Sequence, residues 1–276
     1  QDEGERAGPE PLGQPGGIGG AERRRLRDNR FDHLDAEDAE HFAQVRAMLD
    51  AVDAGFQAAE QDGLPPVGLC ISLLRTQSTN AAIELVDMLT TLRHPRVVAL
   101  SVDGNEATAG RTGPRFAEAF RKAGAAGLCR TVHAGESSGP EGVRDAVELL
   151  GADRIDHGVR AIEDPALVQL LAEKQIPLGV CPTSNLVLGV YPSIDLHPIE
   201  RLRQAGVPVS LNTDDPALLG ASLVGEYALC RHTFGWTDAV TATVARTSIA
   251  ASFANADLKA TLLSQLNGWQ AGDAGL

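Results

Sequence analysis

A histidine and a glutamate three residues apart are the residues in this sequence best placed to do chemistry. His133 and Glu136 lie in the segment TVHAGE, at the end of the apolar run 127–132. The run predicts a buried strand, and Pro140 predicts that a helix begins soon after it. Both side chains would then lie at the carboxyl end of a strand, where α/β proteins bind ligands. There a neutral imidazole can bind a metal ion, and a carboxylic acid can transfer a proton.

Similar polar groups follow the other apolar runs. They are Asp103-Gly104-Asn105-Glu106, Asp156-His157-Gly158, Cys181-Pro182-Thr183-Ser184-Asn185 and Asn212-Thr213-Asp214-Asp215-Pro216. His133 and Asp214 suit zinc ligation, because an imidazole and a hard carboxylate hold zinc and leave positions open for water. His157 would orient or deprotonate that water, Glu136 would protonate the substrate, and Asp215 would accept a hydrogen bond from it. The set predicts a hydrolytic metal site.

Each of these groups also has a purely structural interpretation. His157 stands before a glycine and fits an ordinary polar strand end. Asp214 and Asp215 stand before Pro216, which is a common signature of a helix N-cap. The segment 183–185 fits an ordinary turn. The recurrence of His and Asp after successive apolar runs favours the functional interpretation.

Alternating strand and helix patterns predict the elements that would position these groups. The predicted strands cover residues 67–74, 97–102, 128–133, 154–157, 177–181 and 207–211. The predicted helices cover residues 35–61, 80–92, 115–123, 140–150, 164–174, 198–204, 222–231, 239–251 and 258–266. Six βα units with short connections require a parallel sheet covered by helices, either doubly wound or a (β/α)8 barrel. The last three helices would cover the outside or the closing edge.

Composition limits the classes of function. The chain has 276 residues, of which 43% are hydrophobic, and a formal net charge of −13 at pH 7. An acidic chain repels phosphate backbones, so we expect no nucleic-acid partner. No apolar run is long enough to span a membrane, and a polar, acidic start without an apolar stretch predicts a cytoplasmic protein. The four cysteines form no C-x-x-C pair and predict buried free thiols.

Five groups of motifs stand in order along the chain: TVHAGE, RIDHGV, CPTSN with LGVYPS and HP behind it, LNTDDP with SLVGEY behind it, and ARTSIAASFA. Together, from about Val67 to Leu266, they resemble the adenosine deaminase family of metal-dependent hydrolases. The resemblance implies a (β/α)8 TIM-type barrel, one zinc ion per site and hydrolytic removal of the 6-amino group of a purine. Adenosine, converted to inosine and ammonia, is the expected substrate. Free adenine or another 6-aminopurine nucleoside is the alternative.

The resemblance also implies a role for individual residues. His133 and Asp214 would be zinc ligands. Glu136 would protonate the purine ring, and His157 would act on the water that zinc binds. In addition, the backbone N–H of Gly104 would bind the ring, and Asp215 would orient the attacking water or bond the ring.

One part of the family pattern is absent from this sequence. The family begins with a strand that ends in H-x-H, whose histidines both bind zinc, and this chain contains no H-x-H. The sequence shows six strands where a barrel needs eight, so we expect a barrel incomplete at its N-terminus, as in a truncated gene product. Residues 1–30, rich in Gly and Pro, would be disordered or loosely attached. Residues 31–276 would form the barrel domain with its C-terminal helices.

The missing ligands and strands have functional consequences. With only His133 and Asp214 as ligands, we expect weak zinc binding and slow or absent deamination. We also expect the open barrel edges to self-associate. A non-catalytic relic of the fold is therefore the competing interpretation, and bound zinc would discriminate between the two. A doubly wound binding protein is disfavoured, because no Gly-rich phosphate loop follows any predicted strand.

Overall fold

Six parallel strands form one sheet in the computed structural model, which describes residues 36–272. The strands are β1 (Leu69–Leu74), β2 (Val97–Asp103), β3 (Cys129–Ala134), β4 (Arg154–His157), β5 (Leu178–Val180) and β6 (Val209–Leu211). Each strand pairs in parallel with its neighbour in sequence, so their order in the sheet is their order in the chain. A doubly wound sheet would reverse that order at a switch point. The strand order is therefore that of a (β/α)8 barrel, of which residues 36–272 form six βα units.

Helices alternate with the strands. They are α1 (Ala36–Gln61), α2 (Thr79–Leu92), α3 (Glu106–Ala109), α4 (Gly113–Ala125), α5 (Pro140–Glu148), α6 (Pro165–Lys174), α7 (Pro182–Val187), α8 (Ile199–Gln204), α9 (Pro216–Leu219), α10 (Leu223–Phe234), α11 (Asp238–Ala251) and α12 (Ala256–Ala271). Every long helix predicted from the sequence is present. The sequence analysis does not predict α3, α7 and α9, which have only four to six residues each.

Local chemistry sets where several helices begin. The Ser78 side chain accepts a hydrogen bond from the backbone N–H of Ala81 and caps α2. The Asp164 side chain accepts bonds from the N–H groups of Ala166 and Leu167 and caps α6. Such caps satisfy backbone donors that have no partner inside the helix. The two caps thus fix where α2 and α6 begin after the loops that follow β1 and β4.

Strand β1 differs from the other strands in its surroundings. Within residues 36–272 it pairs only with β2. Leu73 is fully buried, whereas Cys70 and Leu74 on the opposite face of the strand are exposed. The prediction that the cysteines are buried is therefore wrong for Cys70, which lies on the exposed face of the strand at the edge of the described sheet. Cys181 and Cys230 are buried as predicted, whereas Cys129 is only partly buried.

The C-terminal helices lie at the other edge of the sheet. Helix α11 packs against β6, and α12 packs against α11. This agrees with the expectation that the last helices cover the closing edge. None of the helices between residues 36 and 272 is long and apolar enough to cross a membrane.

The chain divides into two compact units, one ending at Val52 and one beginning at Asp53. The first unit contributes the start of α1, and all six strands belong to the second unit. The predicted N-terminal segment 1–30 lies outside the described residues, so the domain division drawn from the sequence stays a prediction.

Candidate active site

Three of the predicted site residues lie around one cavity of about 910 Å³. His133 is near the end of β3, His157 is the last residue of β4, and Asp214 follows β6. The cavity is also lined by Asp103, Asp156, Cys181, Asn212, Tyr227 and Trp269. Because parallel strands end at the same edge of a sheet, residues far apart in sequence meet there. The three side chains converge as expected, whereas their chemical roles stay predictions.

Glu136 links the two histidines. Its Oε2 atom is 3.2 Å from His133 Nε2, and its Oε1 atom is 3.4 Å from His157 Nδ1. The two imidazole rings lie 4.6 Å apart between centroids. The Glu136 side chain is only 11% exposed and does not itself line the cavity. Its carboxyl group is therefore placed to exchange protons with either ring in a poorly solvated environment.

The two histidines differ in pKa because they differ in their partners. Burial alone would lower the pKa of His133, but its hydrogen bond to Glu136 and the charge of that carboxylate raise the pKa overall. Burial lowers the pKa of His157, and the charges of Glu136 and Asp214 do not offset the effect. His157 is therefore neutral at pH 7, and a neutral imidazole can accept a proton or bind a metal.

A buried carboxylate fixes the loop that carries Glu136. Glu106 accepts hydrogen bonds from the four consecutive backbone N–H groups of residues 135–138, at 2.9, 2.9, 3.1 and 3.4 Å. Burial alone would raise the pKa of Glu106, but these backbone donors and the charge of Arg75 lower it overall. Gly135 in this loop has φ of +69°, and a Cβ there would clash with the side chain of Val143. The loop backbone is therefore held in one conformation.

A second chain of hydrogen bonds holds Asn185 against Glu136. The backbone N–H of Ile199 donates to His197 Nδ1 at 3.3 Å, so His197 Nε2 carries the proton and donates to Asn185 Oδ1 at 3.1 Å. The amide nitrogen of Asn185 then lies 3.4 Å from both Glu136 Oε1 and His157 Nδ1. Burial lowers the pKa of His197 to about 4, so the ring is neutral near pH 7. The sequence motifs contain Asn185 and His197, but their spacing does not reveal this contact.

Asp214 approaches His157 from the side opposite to Glu136. Its Oδ2 atom is 3.7 Å from His157 Nε2 and accepts a hydrogen bond from the Ser184 hydroxyl at 2.7 Å. Asp214 has φ of +56° and His157 has φ of +67°, a left-handed conformation that is uncommon for residues other than glycine. Strain of this kind is frequent at functional sites.

The donor atoms in this region suit zinc. Within residues 36–272, two groups of three metal-ligating side chains converge to within 4.8 Å, and both include His157. One group adds His133 and Glu136, and the other adds Cys181 and Asp214. Imidazole nitrogen, thiolate sulfur and carboxylate oxygen are all zinc ligands, so the donor set fits that ion. His133 and Asp214, the predicted ligand pair, belong to different groups.

The two predicted substrate-binding residues lie beside the cavity. Gly104 follows β2 with φ of +109°, and its carbonyl accepts a hydrogen bond from Arg75 Nε at 2.9 Å. Asp215 is exposed and precedes α9, and its side chain makes no capping hydrogen bond. Neither residue lines the cavity, although Asp103 and Asp214, their neighbours in sequence, do. Their roles in substrate binding stay predictions.

Comparison with known proteins identifies relatives of this chain. Residues 38–269 match the profile of a family described as adenosine deaminase. An adenine deaminase from Sinorhizobium medicae (strain WSM419) is 37% identical over 221 residues, which are 80% of this chain and 68% of that relative. The crystal structure of an adenine deaminase from Arthrobacter aurescens is similar with a TM-score of 0.75 and 31% identity, and the match covers 81% of this chain and 68% of that one.

A further solved structure bears on the metal. An amidohydrolase from Burkholderia ambifaria, whose crystal structure contains bound zinc, is similar with a TM-score of 0.72 and 29% identity. The match covers 84% of this chain and 65% of that one. The chain thus spans about two thirds of the length of these three proteins.

Proposed function

Because the chain belongs to the adenosine deaminase family, we propose that it is a zinc-dependent hydrolase that removes the 6-amino group of a purine. The observation that supports this most strongly is the position of Glu136, a buried carboxyl group held between two histidines beside a large cavity. Two similar proteins are adenine deaminases, which favours free adenine over adenosine as the substrate. Conversion of adenosine to inosine is the second candidate reaction.

Zinc would be held by His133 and Asp214, both of which line the cavity. When bound, zinc supplies a nucleophile, because it lowers the pKa of water to about 7. Neutral His157 would accept a proton from the attacking water. Glu136 would donate a proton to the purine ring, and Asn185 would hold the Glu136 carboxyl group in place through the contact at 3.4 Å.

The remaining two predicted residues would act on the substrate from the cavity edge. The backbone N–H of Gly104 would donate a hydrogen bond to the purine ring, and the carboxylate of Asp215 would orient the attacking water or bond the ring. We expect zinc to be held weakly by His133 and Asp214, because two protein ligands are fewer than catalytic zinc sites use.

The proposal is tested by measuring metal content and ammonia release together. The purified chain is treated with a chelator, reloaded with zinc at increasing concentration, and assayed with adenine and with adenosine. Ammonia release that rises with zinc occupancy supports the proposal, and the preferred substrate decides between the two reactions. No ammonia from either purine at saturating zinc would instead support a non-catalytic relic of the fold.

A further inference from the structure

Arg75, the first residue after β1, is a buried arginine to which the proposed reaction assigns no role. Its side chain is only 5% exposed. We propose that Arg75 is a positioning residue, whose guanidinium group fixes the backbone of Gly104 and His133 relative to each other. This role rests on the proposed function, which assigns purine binding to Gly104 and zinc binding to His133.

Each nitrogen of the guanidinium group donates a hydrogen bond to a different segment. Nε donates to the carbonyl of Gly104 at 2.9 Å, in the loop after β2. Nη2 donates to the carbonyl of His133, near the end of β3. Nη1 donates to the Thr112 hydroxyl at 2.9 Å, just before α4. A planar guanidinium group thus joins three segments in one fixed geometry, which a single ammonium group cannot do.

The backbone of Arg75 is also fixed, so its side chain starts from a defined position. The N–H of Arg75 donates to the carbonyl of Asp103 at 2.9 Å, which extends the pairing of β1 with β2. The carbonyl of Arg75 accepts a hydrogen bond from Arg115 Nη1 at 2.6 Å, and Arg115 lies in α4. Arg75 is therefore anchored to the sheet and to a helix outside it.

The charge of Arg75 also supports the loop that carries Glu136. Arg75 Nη2 lies 3.8 Å from Glu106 Oε1, and both side chains are almost fully buried. Glu106 in turn accepts the four backbone hydrogen bonds from residues 135–138. A buried carboxylate that loses its positive partner is strongly destabilised, so loss of Arg75 would weaken the contacts of Glu106 with this loop. Arg75 thus acts on both ends of the segment 133–138.

Arg75 acts from the side of β3 opposite to the active site. Successive side chains of a strand point to opposite faces, so His133 lines the large cavity, whereas Val132 and Ala134 line a second cavity of about 440 Å³. Arg75 lines the second cavity and not the first. Its effect on a purine in the first cavity would therefore pass through the backbone of Gly104 and His133.

Amide hydrogen exchange with chemical rescue tests this role on the metal-free protein. In Arg75→Ala we expect the backbone amides of residues 135–138 to exchange about tenfold faster than in the natural sequence, because the loop has lost its support. Guanidinium chloride at about 50 mM is far below denaturing concentrations. It should reverse most of the change, since the ion can enter the second cavity where the side chain was. Sodium chloride at the same concentration should not reverse it.

Arg111→Ala is the matched control. Arg111 lines the same cavity, but it pairs with the buried carboxylate of Asp145. Its removal should therefore leave the exchange of residues 135–138 and the release of ammonia unchanged. In the zinc-loaded protein, Arg75→Ala should lower kcat at least tenfold, and guanidinium should restore kcat in parallel with the exchange rates.

A second variant decides the question if Arg75→Ala fails to fold. Arg75→Lys keeps a positive charge near Glu106 but cannot reach acceptors in three segments, so it should also show faster exchange at residues 135–138. Natural exchange rates in Arg75→Lys, or faster exchange in a folded Arg75→Ala that guanidinium does not reverse, would overturn the role. No ammonia from the natural sequence would count against the proposed function alone, because the exchange rates do not depend on catalysis.

Discussion

Strands β1 and β3 each contain six residues, but their surroundings differ. Strand β3 pairs with neighbours on both sides, and the loop after it is fixed by Glu106 and leads to Glu136. Strand β1 pairs on one side only within the described chain, and its Leu74 side chain is 56% exposed. The comparison shows that the site is ordered by contacts among the loops after β2 to β6, together with Arg75 after β1, which contacts Glu106 and the carbonyl of His133. This ordering does not require that the face of β1 that carries Cys70 and Leu74 be covered.

The largest effect should come from a substitution at Glu136, in the loop that follows β3. We expect Glu136→Gln to lower kcat by about 10² to 10⁴, because a positioned proton donor is lost while the shape of the side chain is kept. Zinc content should not change, since Glu136 is not one of the proposed zinc ligands. Glu141→Gln, an exposed carboxylate in the same region, is the control and should leave kcat unchanged. Near-normal turnover in Glu136→Gln would leave this carboxyl group with a structural role only.

Two adjacent leucines in β1 test how differently the two faces of this strand contribute to stability. Leu73 is fully buried and Leu74 is 56% exposed. We expect Leu73→Ala to lower the free energy of unfolding by about 3 kcal/mol, because it leaves a cavity, and Leu74→Ala to lower it by less than about 1 kcal/mol. Urea denaturation of the two variants measures the difference. Equal losses would mean that the face of β1 that carries Cys70 and Leu74 is covered in solution, for example by self-association.

The third effect is a pH dependence that originates at His197. Its pKa in the folded state, about 4, lies below the value of about 6.5 expected in the unfolded chain, so the unfolded chain binds more protons. The contribution of His197 to the free energy of unfolding is complete above pH 6.5 and is lost as the pH falls toward 4. Between pH 7 and pH 5 the free energy of unfolding therefore falls by about 2 kcal/mol.

His197→Gln should remove that part of the pH dependence, since glutamine keeps a donor near the position of Nε2 but does not titrate. Urea denaturation at pH 7 and pH 5 measures it, with the exposed His232→Gln as the control. An unchanged slope in His197→Gln would show that His197 is accessible to protons in the folded chain.

Much of the fold was predictable because its signals are local. Apolar runs marked the strands, and residues such as Asp164 before Pro165 marked helix starts. His133, His157 and Asp214 were predictable as neighbours because each follows a parallel strand. The exposure of Cys70 was not predictable from its apolar surroundings, since exposure depends on which strands lie beside β1.

The finer geometry of the site depends on contacts that sequence spacing does not encode. The hydrogen bonds that Glu106 accepts from the backbone of residues 135–138 join segments about thirty residues apart. The contact of His197 with Asn185 depends on how the chain after α7 returns to the sheet. A His–Pro pair and an Asn near a strand end are too common to predict such a bond. The two groups of possible metal ligands that share His157 likewise depend on side-chain rotamers, which the sequence does not specify.

The sequential order of the strands also bears on how the chain folds. Since each strand within residues 36–272 pairs only with its neighbours in sequence there, every sheet contact in that range closes a loop of a few tens of residues. Closing such loops costs little chain entropy, and proteins whose contacts are local in sequence fold faster than those whose pairings are distant. Assembly can therefore proceed unit by unit along the chain, and the growing sheet offers each new strand an edge that is already formed.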